Sequence, residues 1–283
     1  MSSPPQLRLL QTSQVSPPPG TVSESILPLT FFDLLWLRGG AVERVFFYRL
    51  PTPPPISAPP SSPTSSPPLS LCSSSTLSPA RSEGPRLDDD KYEIRYVDGD
   101  SVSFTVAEYD ADFDEVSGDH ARDVGSLLPL LPRLSRSDDD GVPVLALQVT
   151  VFPNQGVAVG VVVHHAGCDG SSSMRFMFSW ASTCAGPRSS AAAVVVPPVF
   201  DRSLVSVPRD LYSIFYRYFG QRADCIIHED PPVDMVIASF ALKKDHIRRL
   251  KELVSAKAGA MEEAAHPSAA PPSWRPTLTF GCA

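Results

Sequence analysis

The sequence predicts an α/β fold, and the centre of the chain carries the clearest evidence for it. Apolar residues at every second position from 145 to 151 alternate with smaller or polar ones, which is the period of a β-strand. A turn cluster at 153–156 follows, and valines at every second position from 157 to 163 predict a second strand. Serines at 171–173 offer N-caps for a helix, since apolar residues then recur at helical spacing. We therefore predict a hairpin followed by a helix.

The segment between the second strand and the helix holds the residues best suited to chemistry. His165 is followed, four positions on, by Asp169 and then by Gly170. An imidazole can accept a proton from a hydroxyl and later return it, so His165 is the candidate general base. We expect Asp169 to brace the turn and Gly170 to keep side-chain bulk away from an approaching molecule. His164 is the alternative base, but if the strand persists that far, strand parity places His165 on the valine face and His164 on the other.

The residues of this segment allow two other hypotheses about its chemistry. Cys168 could be a nucleophile beside His165, although a small buried cysteine is the more common case. His164, His165, Cys168 and Asp169 could together hold a metal in a hydrolase. Neighbouring strand residues point to opposite faces and no second ligand cluster follows, so we predict no metal site.

Composition excludes several classes of protein. The chain has 283 residues, enough for one large or two small domains, and 42% of them are hydrophobic, enough for a core. A net charge of −7 with 24 basic residues argues against a nucleic-acid binder. The first thirty residues lack a secretory pattern, and no apolar run approaches the ~18 residues of a membrane span. Five cysteines without a CxxC pair fit a reducing compartment. We predict a cytoplasmic monomer that binds neither nucleic acid nor membrane.

The stretch from 51 to 91 departs in composition from the rest of the chain. Residues 51–80 contain ten prolines and ten serines. Prolines lack the backbone N–H that a sheet needs, and serines bury little apolar surface, so we predict that the segment 51–91 is disordered. Translation in a shifted reading frame would also produce such a switch, and this alternative stays open.

The flanking segments predict further elements. Thr30 and Asp33 approximate a capping box, with the aromatic and leucine residues at 31–36 expected to pack in a core or between domains. Apolar and aromatic residues between 211 and 219 form a helical stripe. Residues 235–242 predict a strand and residues 245–257 an amphipathic helix.

The sequence resembles the plant BAHD acyltransferases. This family carries an HxxxDG signature, which is matched here by His165, Asp169 and Gly170. The resemblance lies closest to the branch that acylates anthocyanins and phenolic glucosides, and it covers about residues 25–50, 90–210 and 232–258. The stretches that carry it, beside the motif, are 27–34, 42–48, 96–102, 171–180 and 200–204. HxxxDG alone is a weak pattern, but with these flanks in this order it is strong.

The resemblance implies a fold and a reaction. It implies a mixed sheet with flanking helices, as in the N-terminal domain of the two-domain BAHD and chloramphenicol-acetyltransferase-like fold. It implies that His165 deprotonates a hydroxyl, which then attacks the thioester of an acyl-CoA, the co-substrate. The acyl group would be malonyl or hydroxycinnamoyl, and the acceptor a flavonoid or phenolic glucoside. In the family the motif aspartate is structural and pairs with an arginine, which the sequence does not place; nor does it show which residues hold coenzyme A.

The resemblance also implies a domain organisation. We expect an N-terminal segment with a first helix and strand at 1–50, the Ser/Pro-rich stretch at 51–91, the motif domain at 92–231, and the start of a crossover and second domain at 232–283. The DFGWG motif of the family's second domain does not occur in these residues. An open channel admits water and lowers effective molarity, so we expect little turnover from this polypeptide alone. The alternative function is therefore an inactive product that at most binds a ligand or partner.

Overall fold

A computed structural model describes residues 5–37, 41–50, 81–83, 92–134, 142–185, 201–204, 210–220 and 234–264. The chain falls into two compact units, Met1–Ala238 and Ser239–Ala283. The first unit contains every described strand, and the second contains one long helix.

Ten strands and four α-helices make up the regular structure of the described residues. The strands are β1 Leu7–Val15, β2 Ser25–Pro28, β3 Ala41–Arg49, β4 Arg81–Glu83, β5 Glu93–Tyr96, β6 Val102–Tyr109, β7 Arg122–Asp123, β8 Leu145–Phe152, β9 Gly156–His164 and β10 Val236–Ile237. The helices are α1 Phe113–Ser117, α2 Gly170–Ala185, α3 Leu211–Phe215 and α4 Lys244–Ala264. The predicted hairpin is thus β8 and β9, and the predicted helix after it is α2.

The main sheet has five strands in the order β1-β6-β8-β9-β3. The β6 and β8 strands run parallel, while the other three neighbouring pairs are antiparallel. The predicted mixed sheet with helices is therefore confirmed. A second sheet pairs β2, β5 and β4, and β7 pairs with β10.

Both faces of the central strands are buried. On one face, Leu147 and Val163 pack with Phe176 of α2. On the other face, Gln148 and Thr150 are buried, and the Gln148 side-chain amide donates to the Pro129 carbonyl (2.7 Å) and to Thr150 Oγ1 (2.9 Å). A buried polar side chain is tolerated when such partners satisfy it. The polar half of the alternation in β8 therefore marks a second packed face.

A chain crossing on that second face explains Gly160 in the middle of β9. The one-turn 3₁₀-helix Leu128–Leu130 brings the Leu130 backbone carbonyl directly over Gly160. A Cβ at Gly160 would overlap with the Leu130 oxygen. Glycine inside a strand commonly marks such a close approach of another backbone segment.

Several flanking predictions differ from the structure. The strand predicted at 235–242 is wrong in length, because only β10 is extended and paired within it. The helix predicted at 245–257 is present as the longer α4. The aromatic stripe at 211–219 forms α3 and then the π-helical turn Tyr216–Gly220. The first helix, at the capping box, is only the 3₁₀ turn Asp33–Trp36, in which the Asp33 carboxylate accepts from the Thr30 N–H (2.7 Å) and hydroxyl (2.8 Å).

The disorder predicted for 51–91 falls mostly outside the described residues. Within that stretch the structure describes β4, which pairs with β5. None of the helices in the described ranges is both long enough and apolar enough to cross a membrane.

Candidate active site

His165 lies in the turn that follows β9. The strand ends at His164, and residues 165–167 form a turn that leads to α2. The strand therefore does not persist to His165, so strand parity does not set the direction of its side chain. The side chain is half-buried.

His164 holds this turn closed. Its backbone N–H donates to the Val144 carbonyl (2.8 Å), and its carbonyl accepts from the Gly167 N–H (2.9 Å). The Ala166 N–H donates to His164 Nδ1 (3.3 Å). Burial, with a smaller contribution from the neighbouring His165, lowers the pKa of His164 from 6.5 to about 4. His164 is therefore neutral near pH 7 and serves as an acceptor within the turn.

The lowered pKa of His164 predicts a stability that falls in mild acid. Between about pH 7 and about pH 5 the unfolded chain protonates this side chain while the folded chain does not, so the free energy of unfolding falls by about 2 kcal/mol. We expect a smaller fall in His164→Asn, which keeps an acceptor for the Ala166 N–H but does not titrate. Urea unfolding at both pH values measures the difference, and equal falls in the two proteins would contradict it.

Asp169 caps helix α2. Its Oδ1 accepts from the Ser172 N–H (2.7 Å), and its backbone carbonyl accepts from the Ser173 N–H (3.0 Å). The pKa of the Asp169 carboxyl is lowered, and hydrogen bonding from Ser172 is the largest cause. The prediction that serines 171–173 provide the N-cap is wrong, because the helix begins at Gly170 and the aspartate before it supplies the capping oxygen.

Arg44 of β3 reaches the start of α2. Its Nη1 donates to Ser173 Oγ (2.8 Å), and its Nη2 would lie 3.7 Å from a Cβ added at Gly170. The latter is an ordinary van der Waals distance, and Gly170 is exposed. No described neighbour therefore requires glycine there, and the expectation that Gly170 leaves room for a substrate stays a prediction.

Cys168 sits in surroundings that suppress its reactivity. Burial, with Asp169 adding and Arg44 opposing, raises the pKa of the Cys168 thiol from 9.0 to about 11. The thiolate is the nucleophilic form of cysteine, so this position lacks the depressed pKa of a reactive thiol. These surroundings argue against the hypothesis that Cys168 is a nucleophile.

We expect Cys168 to react slowly with an alkylating reagent. At about pH 8 a thiol with its raised pKa holds roughly a hundredth of the thiolate of an ordinary cysteine. Iodoacetamide labelling, followed by mass spectrometry of the peptide that contains Cys168, measures the rate against that of a free thiol such as glutathione. Labelling as fast as that of glutathione would restore Cys168 as a candidate nucleophile.

The four polar side chains of the motif do not converge as metal ligands. Over the described ranges, no three His, Cys, Asp or Glu side chains group closely enough to hold an ion. His164 points into the buried turn, and Asp169 is committed to the α2 cap.

Trp36 is an aromatic partner of His165. The two rings stack with centroids 3.8 Å apart and planes inclined by 8°. His165 Nδ1 is buried and has no hydrogen-bond partner within the described structure. Nδ1 is therefore not available to a bound molecule, and Nε2 is the ring nitrogen that can contact one.

The sequence did not reveal Trp36 or Arg44 as parts of this site. Trp36 was expected only to pack in a core or between domains, yet it is 37% exposed and covers the imidazole. Both residues do lie in the span 25–50 that the family resemblance covers, and Arg44 lies in the stretch 42–48 that carries it. That was the available signal, but it gave no spatial link to His165.

Comparison with known proteins identifies the family of the chain. A model of the Transferase family matches residues 87–269. The malonyl-coenzyme A:anthocyanin 3-O-glucoside-6''-O-malonyltransferase of Dahlia pinnata is 34% identical over 90% of this chain and 57% of its own length. Phenolic glucoside malonyltransferase 1 of Arabidopsis thaliana is 41% identical over 72% of this chain and 44% of its own length. The chain thus spans about half the length of these curated relatives.

The solved structure of vinorine synthase has the same fold over most of the chain. It aligns with a TM-score of 0.50 and 20% identity, covering 84% of this chain and 50% of the other. The family match and the sequence relatives point to one group of enzymes, and the solved structure shares the fold. The chain belongs to the BAHD transferase family.

Proposed function

We propose that this chain carries the general base of an acyltransferase that moves an acyl group from coenzyme A to a hydroxyl of a phenolic or flavonoid glucoside. The observation that supports it most is the placement of His165: a half-buried imidazole on the turn after β9, with one ring face on Trp36 and Nδ1 sealed from solvent.

The proposed reaction needs one proton carrier. His165 Nε2 takes the proton of the acceptor hydroxyl as its oxygen attacks the thioester carbonyl, giving a tetrahedral intermediate and an imidazolium. Collapse of the intermediate breaks the C–S bond, and the departing thiolate takes the proton back, so free coenzyme A and the ester are released. A base placed in this way typically contributes about 10²–10⁴ in rate.

Asp169 has a structural role in this proposal. Because its carboxylate already accepts from Ser172 at the start of α2, it fixes the chain direction after the turn. It holds the backbone that presents His165, while the imidazole performs the proton transfer.

The printed activities of the relatives guide the choice of substrates. The Dahlia and Arabidopsis enzymes are both malonyltransferases, one for an anthocyanin glucoside and one for a phenolic glucoside. We therefore propose malonyl-CoA as the first donor to test and a hydroxycinnamoyl-CoA as the second. Acyl-CoA is the co-substrate, and no resident cofactor is proposed. The cytoplasmic location and the monomeric state stay predictions.

A second candidate function is binding without turnover. The second unit exposes large apolar side chains, including Phe240 at 87% and Val254 at 68% exposure. Exposed apolar surface of this kind favours association with another protein surface. A chain with this function would bind an acyl-CoA or a partner and release no thiol.

Product analysis tests the proposal. The purified chain is incubated with malonyl-CoA and a phenolic glucoside, and the glucoside is analysed by mass spectrometry. We expect a small amount of malonyl ester with the wild type, in keeping with the low turnover expected from this polypeptide alone, and none above background with His165→Ala. Equal ester formation by the two proteins would contradict the role of His165, and no ester with either donor would favour binding without turnover.

A further inference from the structure

The stack of Trp36 on His165 joins two parts of the chain that are distant in sequence. Trp36 is the last residue of the 3₁₀ turn Asp33–Trp36, and His165 follows β9. Centroids 3.8 Å apart and an 8° inclination give close face-to-face contact of the two rings. Contact of this kind restricts the imidazole, because rotation of its plane would drive ring atoms into the indole.

Trp36 is held in place by the residues around it in the 3₁₀ turn. Leu34 and Leu37, on either side of it, are fully buried. The Asp33 carboxylate accepts from Thr30 and pairs with Arg202 Nη2 (3.5 Å). A tryptophan on so anchored a turn can serve as a fixed surface.

The turn that carries His165 packs against the same anchor. Ala166, the next residue, is buried in one cluster with Leu29, Leu34 and Leu37. The Ala166 N–H is also fixed by His164 Nδ1. The neighbours of both rings therefore share one apolar core, which sets the distance between the rings.

We propose that Trp36 is the positioning residue of His165: its indole face sets the plane of the imidazole and directs Nε2 toward the acceptor hydroxyl. The effect on proton transfer rests on the proposed function, whereas the stack of the two rings is independent of it. In serine-protease triads a carboxylate bound to Nδ1–H orients the base. Within the described structure His165 Nδ1 has no such partner, so the aromatic face takes over that task.

The indole face also matches the charge that the reaction creates. When His165 accepts a proton it becomes a cation lying parallel to an electron-rich face, and aromatic faces attract cations at this range. Loss of the indole should therefore slow the proton-transfer step more than it weakens substrate binding. We expect about a tenfold lower kcat in Trp36→Leu, with KM for the acyl-CoA little changed.

Three variants separate orientation from general packing. Trp36→Phe keeps an aromatic face, and Trp36→Leu keeps only an apolar side chain of similar reach. Phe178→Leu is the matched control, since Phe178 is an aromatic residue of α2 with 65% exposure and no ring contact to His165 among the described pairs. Each protein is first checked for cooperative urea unfolding.

The spectroscopic test uses the imidazole itself. In the wild type, ring current from the indole should move the carbon-bound imidazole protons of His165 upfield in NMR spectra, with the resonances assigned by His165→Ala. We expect the upfield shift to persist in Trp36→Phe and Phe178→Leu and to disappear in Trp36→Leu. A wild type without the upfield shift, or a Trp36→Leu variant that retains it, would overturn the inference.

The kinetic test separates this inference from the proposed function. With malonyl-CoA and a phenolic glucoside, Trp36→Phe should recover most of the kcat that Trp36→Leu loses. An unchanged kcat in a folded Trp36→Leu variant would overturn the positioning role while leaving His165 as the base. An active His165→Ala protein would instead overturn the proposed function, and the imidazole shift would still decide whether Trp36 orients the ring.

Discussion

The substitution Gly160→Ala is expected to lower the free energy of unfolding by about 3 kcal/mol or more. A Cβ there would overlap with the backbone oxygen of Leu130 and would lie 3.3 Å from Pro132 Cδ. Backbone cannot rotate away as a side chain can, so either β9 or the 3₁₀ turn Leu128–Leu130 must shift. Gly160 and Leu130 are both buried, and Gln148 anchors the same crossing through the Pro129 carbonyl.

Urea denaturation measures this effect, and Gly170→Ala is its matched control. A Cβ at Gly170 meets only Arg44 Nη2, at 3.7 Å, so its unfolding free energy should stay within about 1 kcal/mol of the wild type. If Gly160→Ala proved as stable as Gly170→Ala, the close crossing of β9 by residues 128–132 would be incorrect.

The His165→Ala variant is expected to lose about 10²–10⁴ in kcat while folding normally. The side chain is half-buried on a turn and its Nδ1 makes no hydrogen bond in the described structure, so its removal leaves no buried partner unsatisfied. The loss should fall on kcat because the imidazole acts on the proton in the transition state and contributes little to ground-state binding. Chromatography of the acylated glucoside at saturating substrate gives the rates.

His120→Ala controls for the loss of a histidine as such. His120 is exposed, and its Nε2 lies 3.5 Å from the Glu115 carboxylate, a surface contact of small energetic value. Its kcat should equal that of the wild type. A comparable loss of kcat in both variants would show that the rate reports on overall integrity and would remove His165 as the base.

The regular structure around the motif was predictable because its signals are local. The alternation at 145–151 and 157–163, separated by a turn cluster, predicted β8 and β9, and the helical spacing from 174 predicted α2. In the same way the amphipathic stretch at 245–257 predicted α4. A period fixes the type of an element without reference to the rest of the chain.

The remaining features depend on contacts between distant residues. Strand β1 has no regular alternation, and its place at the sheet edge comes from pairing with β6. Only β10 formed within the predicted strand, and its two residues pair with β7, which is distant in sequence. Asp169, rather than the serines that follow it, caps α2, because the turn held by His164 determines where the helix begins.

The site shows the same limit. His165 could be singled out because its residue type, its motif and its flanks are all visible in the sequence. Trp36 could not be linked to it, since the stack depends on Leu34, Leu37 and Ala166 sharing one buried cluster. Periodicity places a residue on a face of its own element and says nothing of which distant ring it will meet.

The most direct test of the central claim is acceptor-dependent release of free thiol from malonyl-CoA. The wild type and His165→Ala are each assayed with and without a phenolic glucoside. If His165 deprotonates the acceptor, adding the glucoside should raise thiol release by the wild type and leave the variant at its background rate. An equal rise in thiol release by both proteins would contradict the claim.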